Sequence, residues 1–252
     1  MTDSSFAGRT ALITGAASGI GAATAQWLGD HDIGKLLLVD RDAAKLDALD
    51  LSCESERIVA DVSDPAFWAG LEAADPKIDH ALINAGIAMG GPIAQQPFEE
   101  WRKLMAVNLD GAFLTLGVAL RSMIRHGGGS IVMTSSVTAI KALPGGGGYA
   151  VTKAGVAHMA KIAAVENADK NVRVNAIAPG GVITAIYETD PNFVKMMAEK
   201  GREAAFAEAA STTPLRRFAE ASEIAGLIGY LLSDEARNIT GAVFSSDGGL
   251  SL

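Results

Sequence analysis

One cysteine, Cys53, occurs in 252 residues. No internal disulfide can form, and a thiolate metal site is excluded. Histidine is scarce as well. His31, His80, His126 and His158 are scattered without ligand spacing, which assigns them structural or surface roles and argues against a metal. No uninterrupted apolar run has the length of a membrane span. The opening MTDSSFAGRTALITG lacks the basic segment and long apolar stretch of a signal peptide. Basic charge is short too: 21 Lys and Arg against 29 Asp and Glu leave a net charge of -8, which argues against a nucleic-acid partner. A cytoplasmic protein with no membrane partner is the expectation. Apolar residues at 49% and charged residues at 20% exclude wholesale disorder.

What is present is an alternation. Apolar strand-like runs lie at Thr10–Thr14, Lys35–Asp40, 57–61, 80–84, 130–135, 172–178 and 242–245. They are continuous rather than alternating, as parallel strands covered on both faces require. Helical patterns lie between them at Gly19–Gly29, Phe98–His126, 149–167 and 220–232, the second ending at Gly127-Gly128-Gly129. The pattern predicts a Rossmann-like, doubly wound parallel sheet of about seven strands, with helices on both faces, in one domain spanning residues 1–252. Residues 184–217 carry no strand signal and read as one or two inserted helices, either a substrate lid or a packing insertion.

The first strand runs into Thr14-Gly15-Ala16-Ala17-Ser18-Gly19-Ile20-Gly21, and a helix follows. Glycines permit close backbone approach, and the helix N-terminus offers free N–H groups to a pyrophosphate. The second strand ends in Asp40, placed to accept from the adenosine ribose hydroxyls and to repel a 2′-phosphate, which favours NAD over NADP. Arg41 is the counter-argument, since it could swing toward such a phosphate. Asp61 and Val62, read at the end of the third strand, are candidates for the adenine, although Asp61 with Ser63 or Asp64 could equally form a helix-capping turn. Asn84-Ala85-Gly86 ends the fourth strand with small residues beside the adenosine.

Tyr149 and Lys153 are four apart on one helical segment and share a face. A phenol is a poor acid or base at neutral pH, and a nearby ammonium favours its ionised form. The pair makes sense as a general base for alcohol oxidation and a general acid for ketone reduction. Ser136, just past the fifth strand, can hold the substrate oxygen, with Ser135 the neighbouring candidate.

Taken together, Thr14-Gly-x-x-x-Gly-Ile-Gly21, Asn84-Ala-Gly86, Asn108 in Val-Asn-Leu-Asp-Gly, Ser136, Tyr149-x-x-x-Lys153, Pro179-Gly180 followed by Thr184, and Asp247-Gly248-Gly249 resemble the short-chain dehydrogenase/reductases over essentially the whole length. The resemblance implies catalytic roles for Asn108, Ser136, Tyr149 and Lys153. Tyr149 transfers the proton. Lys153 binds the nicotinamide ribose and depresses the tyrosine pKa. Asn108 holds a water that connects Lys153 to solvent. It also implies a cofactor site of Gly15, Ser18, Gly19, Ile20, Gly21, Asp40, Arg41, Asp61, Val62, Asn84, Ala85, Gly86, Tyr149, Lys153, Pro179, Gly180, Val182, Ile183 and Thr184. The usual Asn-Asn-Ala-Gly is here Ile83-Asn84-Ala85-Gly86, a departure on the adenosine side.

A substrate pocket is expected around Ser136, Thr138, Leu143, Tyr149, Gly180 and Tyr187. Its apolar lining suggests a cyclic, aromatic or bulky secondary alcohol. The Tyr-to-Lys spacing disfavours the enoyl reductases of this superfamily. Competing functions are an NADP-dependent carbonyl reductase and a non-catalytic nucleotide-binding regulator on the same fold. Family resemblance implies a homotetramer, or a dimer. The four glycines 145–148 are either a flexible loop or room for a bulky substrate.

Overall fold

The structure, a computed structural model, describes residues 5–189 and 191–252. Residues 1–4 of the opening stretch and Asp190 within the segment 184–217 lie outside the described residues. Among those described, seven parallel strands form one sheet: β1 (Thr10–Thr14), β2 (Lys35–Asp40), β3 (Glu54–Val59), β4 (His80–Ile83), β5 (Gly129–Thr134), β6 (Val172–Pro179) and β7 (Val243–Ser246). Their order is β3-β2-β1-β4-β5-β6-β7. The order reverses between β1 and β4, so a crevice opens beyond their carboxyl ends.

The strands read inward on both faces. Leu12 and Leu37 join one core with Trp68, Leu116 and Val156. Ile13, Leu36 and Leu38 join the other with Leu28, Ile224 and Ile228. Helices α1 (Gly19–Gly29) and α9 (Ala221–Leu232) cover the second face. Helices α3 (Pro65–Ala73), α5 (Gly111–His126) and α6 (Gly147–Asn167) cover the first.

Caps set several of these boundaries. Asp64 accepts from Ala66 N at 2.9 Å and Pro65 starts α3. Glu220 and Glu223 form a reciprocal capping box on α9. Gly127 ends α5 in the left-handed conformation, with Gly128 N bonded back to Met123 O at 2.8 Å. The long stretch Phe98–His126 is helical throughout, as α4 (Phe98–Leu104), a widened π turn (Met105–Asp110) and α5. By length and composition it could cross a membrane, but half of its most apolar window is buried inside this fold, as in a core helix.

Two sequence readings shift. β3 covers Glu54–Val59 rather than 57–61, because it is the sheet's edge strand and carries exposed residues that hide its start. Asp61 therefore lies in the loop beyond it. The short helix α2 (Ala43–Asp47), capped by Asp42, escaped the apolar pattern altogether. In the inserted segment, α7 (Pro191–Lys200) and α8 (Arg202–Ala209) build a small aromatic core of their own from Phe193 and Phe206, with Tyr187 and Phe218 packed on it.

Candidate active site

The glycine turn after β1 is a close-packed cradle. A Cβ on Gly21 would stand 2.1 Å from Gly15 O, and one on Gly15 would stand 2.9 Å from both Ala85 Cα and Asn84 Nδ2. No side chain could be added at either place. Ser18 begins α1 without a side-chain cap, so the N–H groups of the first turn point outward unclaimed by it. Thr184 closes on this turn from the loop after β6: a Cβ on Gly19 would lie 3.1 Å from Thr184 Cγ2. These features fit a dinucleotide pyrophosphate, for which Gly15, Ser18, Gly19, Ile20 and Thr184 supply backbone donors, a dipole end and a hydroxyl.

Asp40 stands where the adenosine would lie. Its Oδ2 accepts from Ala17 N at 3.0 Å and its Oδ1 from Asp42 N at 3.0 Å, which fixes the carboxylate beside the glycine turn. Arg41 is exposed, and its charge helps hold Asp61 below the usual carboxylate range. The larger influence on Asp61 is Ser63, whose hydroxyl and N–H donate to Oδ1 at 2.7 and 2.8 Å. Asp61 is thus the turn residue of the alternative reading. Val62 buries its side chain in the core, and its carbonyl accepts from Trp68 Nε1 at 2.7 Å. Asn84 binds inward to the Thr14 and Gly15 carbonyls, both at 3.3 Å, joining the β1 and β4 turns at the switch point.

On the nicotinamide side, Pro179 ends β6 and Gly180 N donates to Ser246 O at 3.0 Å. A Cβ on Gly180 would strike Asp247 Cα at 2.8 Å, so this glycine serves packing against the C-terminal segment as well as the pocket. Val182 buries its side chain in one apolar cluster, so its backbone is what is left for a cofactor, while Ile183 is partly buried against another.

The catalytic candidates converge beyond β5. Ser135 donates to Lys153 O at 2.7 Å and so belongs to the scaffold. Ser136 is the one that faces Tyr149, close enough to pull the phenol's pKa down. Lys153 is almost fully buried, donates to Thr134 O at 2.8 Å and lies 5.8 Å from the Tyr149 ring centroid. Burial pushes its pKa down to about 8. The expected depression of the Tyr149 pKa is reversed in the chain alone: burial raises it, and Ser136 only partly opposes this.

Asn108 sits in the π turn with its carboxamide committed on both sides. Oδ1 accepts from Ile87 N at 2.8 Å, while Nδ2 donates to Ile87 O at 2.9 Å and Thr152 Oγ1 at 3.2 Å. Any water relay therefore falls to its main-chain carbonyl, which a π turn is able to leave free. Gly86 is bare because a Cβ there would lie 3.3 Å from both Asn108 Oδ1 and Lys153 Nζ.

Around this centre, Thr138 N donates to Ser136 Oγ at 3.2 Å, and Thr138 Oγ1 is buried without a partner. Leu143 is half-buried, its carbonyl accepting from Gly146 N at 3.1 Å. Tyr187 rises from the aromatic cluster. Burial, then the nearby Tyr149, push its pKa up to about 12. The glycines 145–148 are held at some points and open at another, for nothing lies within 4 Å of a Cβ on Gly145. Gly91 N donates to Gly145 O at 2.8 Å, and a Cβ on Gly148 would press Trp101 at 2.9 Å. Sequence reasoning missed Thr134, Ile87 and Gln96. They act through backbone groups or across long sequence separations, and no motif marks them.

Comparison with known proteins agrees with this geometry. A family model described as enoyl-(acyl carrier protein) reductase matches residues 15–251. The chain is 36% identical to levodione reductase of Leifsonia aquatica, covering 98% of this chain and 95% of that protein. The crystal structure of levodione reductase superposes with a TM-score of 0.89 over 98% of both chains. L-sorbose reductase from Gluconobacter frateurii, complexed with NADPH and L-sorbose, gives a TM-score of 0.89 at 26% identity over 99% of each chain. A 3-oxoacyl-[acyl-carrier protein] reductase with bound NAD from Brucella melitensis gives 0.83 at 30% identity, over 98% of this chain and 93% of that one.

Proposed function

The chain belongs to the short-chain dehydrogenase/reductase family, and we propose that it is an NAD(H)-dependent oxidoreductase that interconverts a bulky secondary alcohol and its ketone. The observation that carries this reading is the Tyr149 ring with the buried Lys153 ammonium 5.8 Å from its centroid, and Ser136 close enough to pull the phenol's pKa down. Ser136 and Tyr149 together can grip one substrate oxygen. In oxidation Tyr149 Oη takes the hydroxyl proton; in reduction it returns one to the carbonyl oxygen. Lys153, held by Thr134 O, keeps a positive charge near that oxygen and favours the phenolate. The nicotinamide, when bound, supplies the hydride acceptor or donor, which no side chain provides.

Asp40 supports NAD rather than NADP, because its fixed carboxylate would face a 2′-phosphate. Relatives whose names give a reductase of a diketone and of a ketose accord with a cyclic or polyfunctional substrate. The four-residue step from Tyr149 to Lys153 supports alcohol and ketone chemistry over reduction of a carbon–carbon double bond. The same reading includes a homotetramer. Phe113 on α5 and Val165 on α6 are 63% and 84% exposed, large apolar groups that a subunit interface would cover. Sedimentation checks the mass.

The test is a panel of cyclic and aromatic secondary alcohols with NAD, read by NADH absorbance, beside Tyr149→Phe. The variant is expected to bind NADH yet turn over at least ~10²-fold more slowly. Near-normal turnover by the variant refutes the assignment.

A further inference from the structure

We propose that Gln96 is a positioning residue for Tyr149, holding the start of the catalytic helix from outside it. Helix α6 begins inside the glycines 145–148, with positive φ at Gly145 (79°) and Gly147 (41°) and no side-chain cap. A glycine entry of this kind restrains the helix little by itself. The missing restraint comes from across the sequence. Gln96 Oε1 accepts from Gly148 N at 2.8 Å, satisfying an N–H that the helix itself cannot satisfy. Gly148 directly precedes Tyr149.

A second bond has the same form. Asn108 Nδ2 donates to Thr152 Oγ1 at 3.2 Å, and Thr152 directly precedes Lys153. Gln96 lies just before α4 and Asn108 lies in the π turn that follows it, and between them this stretch sets Trp101 and Leu104 against Gly148. Two amides from one stretch of helix, Gln96 before it and Asn108 within it, therefore hold the two ends of the Tyr149–Lys153 turn. Steric fit supports the assignment: a Cβ on Gly147 would stand 2.9 Å from Gln96 Oε1, and one on Gly148 3.1 Å from it. The glycines admit the amide. Gln96 Nε2, by contrast, is buried with no partner. Only the acceptor end of the side chain has a bond to lose, so glutamate retains what matters and asparagine, one methylene shorter, does not.

The proposal rests on Tyr149 as the proton-transferring residue, but its test needs no turnover. Two quantities are measured in the NAD complex. One is amide hydrogen exchange at Gly148. The other is the tyrosinate absorbance titration in a Tyr187→Phe/Tyr230→Phe background, where Tyr149 is the one remaining tyrosine. In Gln96→Leu and Gln96→Asn, exchange at Gly148 is expected to quicken roughly tenfold, as for the loss of one ordinary hydrogen bond. The Tyr149 midpoint is expected to move to higher pH as the phenol drifts from Ser136, which lowers its pKa. Gln96→Glu is expected to restore slow exchange. If Gln96→Leu does not fold, the contrast between Asn and Glu decides. Unchanged exchange and midpoint in the Asn variant, or an Asn variant indistinguishable from Glu, overturn the proposal. The alcohol reading stands or falls separately, on Tyr149→Phe.

Discussion

Lys153 reaches across from α6 to donate to the carbonyl of Thr134, the last residue of β5, at 2.8 Å. That bond ties the catalytic helix to the strand that delivers Ser136. It also holds an ammonium in a place where burial pushes its pKa down to about 8.

Lys153 therefore carries a folding penalty, which its proposed place beside Tyr149 accounts for. Its folded pKa lies below the ordinary 10.5, so stability from this group is full above pH 10.5 and is lost as pH falls through about 8. That gap corresponds to about 3 kcal/mol at neutral pH. Replacement by Met removes the charge but leaves Thr134 O without its donor, at a cost of about 1–3 kcal/mol. Lys153→Met is expected to unfold in calorimetry at pH 7 no earlier than the parent, and its advantage should shrink as pH rises from 8 to 10.5. Its alcohol turnover should collapse. An advantage that grows with pH contradicts the assignment.

His80 sets the acid limit. Ser130 donates to Leu232 O at 2.6 Å, so its oxygen is left to accept from His80 Nδ1 at 2.8 Å, and Nε2 is buried, bare and unprotonated. Burial, aided by Arg9, holds the pKa down at about 4. The unfolded chain takes up this proton first, so stability falls as pH drops from 6.5 toward 4, by about 3 kcal/mol. Urea midpoints for the wild type and His80→Gln should converge over that window. Parallel curves would remove His80 from the account.

Asp40 is the residue on which the proposed preference for NAD rests. Asp40→Ser is expected to raise kcat/KM for NADP by about tenfold or more, by removing the like charge that would face the 2′-phosphate. Activity with NAD should fall. A wild type that already prefers NADP overturns the role given to Asp40.

Gly147 tests what the glycine run is for. A side chain there meets Gly91 O at 2.8 Å and needs a left-handed backbone, which costs about 1–2 kcal/mol. Gly147→Leu is expected to lower turnover of small and large alcohols by the same factor, as a packing defect does. Selective loss of the large ones restores the idea of a pocket.

The parts of this molecule that the sequence displays are those with local physical signatures. β1, β2 and α1 lie at the positions their apolar runs and glycines indicate, because each is buried on the side its pattern faces. β3 misled because an edge strand need not be apolar. Its start is charged, and the apolar Ile58, Val59 and Ala60 run on into the loop. Tyr149 and Lys153 were legible as a spacing. The direction of the Tyr149 pKa in the chain alone was not, since it depends on burial that no motif encodes. Gln96 and Gly148 are 52 positions apart and share no pattern, so only folded geometry joins them.

The aromatic cluster of Tyr187, Phe193, Phe206 and Phe218 has consequences for how such a protein diversifies. Tyr187 stacks on Phe218 with ring centroids 5.4 Å apart, and Phe193 meets Phe206 at 4.8 Å, none of them drawn from the two cores that flank the sheet. A segment that carries its own core can be exchanged as a cassette. Chimaeras that replace it should inherit a donor's substrate range while keeping the recipient's cofactor preference and thermal stability, so recombination reaches new substrates here with less disturbance than point mutation of the sheet.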